Sequence, residues 1–167
     1  MTQEQDQLRK QVEDARITLL ELHKMLIDKS RKDYESLYGE VANPWNFLQL
    51  LMTDPAFAWL HPFSQLITSV DELLESTLPM RILDGEAVRA MIENLLGDLP
   101  TTPKDFRTHY LAIIQKDAET IVIHAKVKQK ILQLPQPEPE KIKELLNIKT
   151  QWTAANKLKK TRTTGNS

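Results

Sequence analysis

Residues 8–27, LRKQVEDARITLLELHKMLI, decide the fold class. Leu8, Val12, Ala15, Leu19, Leu22 and Leu26 recur at alternating spacings of four and three, the period of one helical face. The pattern predicts a helix over 6–37 with a coiled-coil-like seam. Ile17, Leu20, Met25 and Ile27 add apolar positions around its middle, so the middle should be more enclosed than the start. The early part, through Ala15, reads as an overhang able to pair with another chain.

Working outward, the next signals are proline-led. Asn43-Pro44 and Asp54-Pro55 each put a capping side chain before a proline at the first helical position, where its missing N–H costs nothing. They predict a short helix at 44–52 and another start at Pro55. In DPAFAWLHPFSQLI (54–67), Pro62 removes a helical hydrogen bond and disfavours helical geometry at His61. A break is expected there, with a helix over 62–76. Further helices are expected at 84–96, opened by Asp84-Gly85-Glu86, and at 103–133, bent at Asp117. Gly39, Gly85 and Gly97 fall between apolar segments, as glycines at helix ends do. No period-two alternation calls for a sheet.

These pieces predict an all-α fold, an antiparallel four-helix-type bundle with short capping helices and a C-terminal helical tail. The division expected is a bundle over 1–134, a Pro-rich linker over 135–140, a basic amphipathic helix over 141–160 and a disordered tail over 161–167.

A chain of 167 residues, 41% hydrophobic and 27% charged, has ordinary globular composition. The absence of cysteine excludes disulfides, thiolate metal sites and cysteine nucleophiles. No apolar run is long enough for a transmembrane segment and no signal-peptide core opens the sequence, so a cytoplasmic location is expected. Charge is asymmetric: 15 basic against 22 acidic residues over 1–140, but seven against one over 141–167. The tail can pack on the bundle, bind a protein or acidic surface, or touch nucleic acid or a membrane surface. Its basic residues are too dilute to favour the last pair.

Four histidines, His23, His61, His109 and His124, raise the question of a metal. No Glu-x-x-His or His-Glu-x-x-His spacing joins them, so no metal site is assigned. There is no phosphate-binding glycine loop and no nucleophile elbow, so no catalytic residue is assigned and no enzyme or cofactor is expected. The densest feature is aromatic. Seven of the ten Phe, Tyr and Trp residues lie before residue 64, and 41–70 carries a single charge, Asp54. Trp59, His61 and Phe63, with Trp45, Phe47 and Phe57, read as the close of the core, with His61 donating to a carbonyl near the break. The alternative is an exposed apolar patch that receives a partner, or a pocket for a small apolar ligand or cofactor near Trp59 and His61.

LLELHKMLID, FLQLLMTDPAFAWLHPFSQLITSVDELLE and HYLAIIQKDAETIVIHAKVKQKI resemble a small all-α bacterial protein family of uncharacterised function. The resemblance spans roughly residues 15–132 and implies no catalytic residues. The functional expectation is therefore contact with a protein partner, or a homodimer through the first helix.

Overall fold

The computed structural model describes residues 2–164, the side chains of Lys159 and of 162–164 excepted. The chain is all-α. Its helices are α1 (Gln3–Tyr38), α2 (Pro44–Thr53), α3 (His61–Glu75), α4 (Ile82–Leu96), α5 (Lys104–Ile114), α6 (Ala118–Ile131), α7 (Ile142–Leu145) and α8 (Lys149–Thr164). Short 3-10 segments occupy Pro55–Leu60 and Pro139–Lys141. Among the described residues, no helix is long and apolar enough to cross a membrane.

α1 is started by a capping box. Thr2 accepts from the Gln5 amide while the Gln5 side chain accepts from the Thr2 amide. All six residues of its seam are buried. α6, α3 and α4 pack against α1. Contacts descend along α3 as they ascend along α1, from Arg9 with the Leu74 carbonyl, through Arg16 with Asp71, to His23 with Ser64. On α6 the same descent links Glu21 to Lys126 and Lys29 to Asp117.

Two expectations for α1 are corrected. Ile17 and Leu20 are exposed, because α3 and α6 flank the seam and leave the opposite side to solvent. The start of the helix is less enclosed than its middle, as expected, but from Leu8 onward it is not an overhang. Leu8, 7% exposed, lies against Gly85 of α4, and a Cβ placed on Gly85 would sit 2.7 Å from Leu8 Cδ1 and 3.0 Å from Pro135 Cδ. Gly85 is thus inside α4 rather than at its end. What it supplies is the close approach of three segments.

Both proline-led starts form as read. Asn43 Oδ1 accepts from the Asn46 amide and Asp54 Oδ1 from the Ala56 amide, each at 2.9 Å. The segment after Asp54 is a 3-10 helix, and α3 begins at His61 with Pro62 in its first turn. His61 keeps helical dihedrals despite the following proline. Asp117 caps α6 by accepting from the Thr120 amide, so 103–133 is two helices.

The C-terminal division needs revision. Leu134, Leu145 and Trp152 belong to the same buried core as α1, so the core does not stop at residue 134. Just before the linker the Leu134 carbonyl accepts from Arg89, and within it Pro137 is buried. The single helix expected over 141–160 is two, α7 and α8. Thr161–Thr164, expected to be disordered, continue α8, while residues 165–167 lie outside the described residues.

Candidate functional site

The aromatic block is built by the 3-10 segment and the start of α3. Phe57, Trp59 and Leu60 turn inward from the first, and Phe63 from the second. Trp59 stacks on the His109 ring at 5.0 Å and meets Phe106 at 5.7 Å. Phe63 lies 6.0 Å from Phe106 and 5.2 Å from the His23 ring. Phe106 in turn stacks on Tyr110. Rings at 4.5–7 Å in tilted and stacked pairs fill volume at this end of the core.

His61 faces the other way. Its side chain is exposed, with Nε2 3.4 Å from the Leu51 carbonyl in the last turn of α2. It thus approaches a carbonyl at a helix end, but not one released by Pro62. It edges an open groove of about 540 Å³ between α3 and α8 whose other walls include Ser64, Thr68, Glu72 and Lys149. Trp59 and Phe63 do not line that groove. The structure therefore separates the three residues, two in the core and one on a polar surface.

The histidines are dispersed as well. His23 Nε2 is 3.0 Å from Ser64 Oγ, and burial lowers the pKa of its ring. His109 Nδ1 lies 2.9 Å from the Asp105 carbonyl, one turn earlier on α5. His124 Nδ1 and the Tyr110 phenol lie 2.5 Å apart. Burial, then the positive charges of Lys128 and Arg107, lower the His124 pKa, and burial raises that of Tyr110. Among the described residues no group of three potential ligands could hold a metal.

Two features were left open by the sequence. The first is the seat of α8. Asp84 is buried, and its carboxylate accepts from Arg81 Nη2 at 2.8 Å, the Arg81 amide at 2.8 Å and Trp152 Nε1 at 3.0 Å. Burial alone would raise its pKa, but these hydrogen bonds and the guanidinium charge outweigh it and hold the carboxyl below its usual range. Gln151 accepts from the same guanidinium, and Asn156 donates to the Glu72 carbonyl at 2.9 Å. Asp84 reads in sequence as a helix-dipole acid; its partner is too distant in the chain to be read.

The second is α2. It has no charged residue and no buried one. Phe47, Leu50 and Leu51 rest against the core, with Phe47 edge-on to Phe57 and under the Arg31 guanidinium. Trp45, Leu48 and Met52, 64%, 46% and 64% exposed, project from the remaining surface. The signal was present as an apolar segment without charge, but which residues face out depends on where α2 is laid down. No protein-family model, curated protein or solved structure matches this chain.

Proposed function

We propose that this chain is a non-enzymatic helical-bundle protein that acts through protein–protein contacts, with the outer face of α2 as the contact surface. In this reading α1, α3, α4 and the α5–α6 pair form an antiparallel four-helix-type bundle. α2 and the 3-10 segment close one end, and α8 is strapped along α3. The opposed contacts of α1 with α3 and with α6 support that arrangement.

The observation that carries the functional reading is the exposure of Trp45, Leu48 and Met52 together. Spacings of three and four place them along one stripe of α2, the pattern by which a helix presents anchors to a partner. Tryptophan is among the residues most enriched at the energetic centre of interfaces. Leu8 and Val12, which a first-helix homodimer would use, are committed to the core of their own chain.

A photo-crosslinking residue at position 48, introduced in producing cells, tests this. A discrete adduct that is absent with the same residue at position 10 supports the proposal. Sedimentation of the purified chain then tells whether the partner is a second copy. Equal crosslinking from the two positions, with a monomer at every concentration, overturns it.

A further inference from the structure

The outer face of α2 is uniform in one respect. Trp45, Leu48, Gln49 and Met52, joined by steps of three and four along the helix, share one stripe and are all exposed. Asn46 and Thr53 flank the stripe and are exposed as well. No charged residue lies between Glu40 and Asp54. Leu37 and Tyr38, 76% and 71% exposed, add apolar surface where α1 ends. That is the same end of the molecule, since Tyr34 of α1 meets Phe57, and Phe57 meets Phe47 of α2.

A partner that brought charges to this stripe would bury them against a face with no counter-ion to offer. The partner face must therefore be charge-free too, and α2 is itself such a face. Across a two-fold axis a patch must complement itself, residue i meeting j while j meets i. Apolar side chains satisfy that condition, and so do amides such as Gln49, which donate and accept at once. The spacing also supplies a register. Trp45 stands three residues before Leu48 and Met52 four after it, so an antiparallel pair crossing at Leu48 and Gln49 sets each Trp45 against the Met52 of the other chain. A thioether against an aromatic ring is a favourable contact, and the helix dipoles then run in opposite senses. We infer that the partner held by α2 is a second copy of this chain, docked α2 against antiparallel α2 about a two-fold axis. The inference rests on the reading of α2 as the contact surface and names what covers it. A ten-residue helix is about 15 Å long, too short to supply alone the roughly 800 Å² per partner of a standard interface. The dimer is accordingly weak, with a Kd on the order of 10–100 μM.

Sedimentation velocity of the purified full chain from about 10 μM to about 1 mM tests this, and the dimer fraction should rise across that range. Trp45→Arg and Met52→Glu, each at an exposed side chain, should separately weaken association by about tenfold or more, as changes at the centre of an interface do. An equimolar mixture of the two variants should associate at least about tenfold more tightly than either alone. The antiparallel register leaves that mixed pair one native Trp45–Met52 contact and sets the introduced cation against the introduced anion. A monomer throughout the range overturns the second copy, while a discrete adduct from position 48 in cells would still uphold α2 as a contact surface for another protein. A wild-type dimer that neither variant weakens overturns α2 as its seat. A mixture no tighter than the separate variants overturns the antiparallel register.

Discussion

Removing the indole of Trp59 by substitution with Ala empties a space closed by Phe106 and the His109 ring. The expected cost is roughly 3–5 kcal/mol, as for other large aromatic truncations in a core. His61→Ala removes one long contact from an exposed side chain and should shift stability by no more than about 0.5 kcal/mol. Urea midpoints of the two variants check this pair, and a wild-type midpoint for Trp59→Ala would refute the core assignment. His23 and His124 carry the pH dependence. Both pKa values are lowered in the folded chain, so the unfolded chain takes up protons first as pH falls. Stability should hold above the ordinary histidine pKa of about 6.5 and decline below it. His124→Gln should flatten part of that decline in denaturant titrations repeated across pH. At this scale the sequence spoke clearly for Leu8, Val12 and Phe63, whose burial follows from helical period. It was silent on Gly85, because the need for a missing Cβ comes from Leu8 and Pro135, neither adjacent to it in the chain.

The element whose place the sequence left most open is α8. A tryptophan on a basic helix has the same pattern whether the helix docks on its own body or on a partner, and only the acceptor decides. Here the acceptor is Asp84. Trp152→Phe should cost about 1.5–3 kcal/mol, the value of a hydrogen bond to a charged group, with near-native helicity by circular dichroism. Truncation at Pro135 removes Leu145 and Trp152 from the core and leaves Asp84 with Arg81 alone. The expected outcome is a broadened thermal transition at much lower temperature; a sharp transition near the wild-type value would show that α8 is an accessory. The helix starts, by contrast, were legible, since Asn43, Asp54 and Asp117 act on amides two or three residues away. Asp117 also pairs with Lys29 at 2.7 Å, and that hydrogen bond, followed by the one from Thr120, holds its carboxyl down at about 2. The stabilisation is present above the ordinary carboxylate range and is lost as pH falls toward 2. Asp117→Asn should therefore bring acid unfolding to a higher pH.

Across the whole molecule, the all-α class followed from the period of the apolar residues, whereas the division between body and tail did not. Proline density and basic charge describe a segment's stiffness and solubility, but they carry no information about a distant surface that fits it. The same limit applies to α2, whose apolar sequence fits a buried helix as well as one with a bare side. Lysines at Trp45, Leu48 and Met52 should change unfolding free energy by no more than about 0.5 kcal/mol each, since those side chains are exposed. They should also reduce any concentration-dependent sedimentation. A large loss of stability would mean that the outer stripe is packed in the folded chain. The seat of α8 has a consequence for the order in which the protein is made. Asp84 leaves the ribosome 68 residues ahead of Trp152, an interval of roughly 3–14 s at usual elongation rates. Throughout that interval the nascent chain carries a carboxylate without its indole and a core without Trp152. Codons that slow translation over residues 85–152 lengthen that exposure to chaperones and proteases while leaving every contact of the finished protein unchanged.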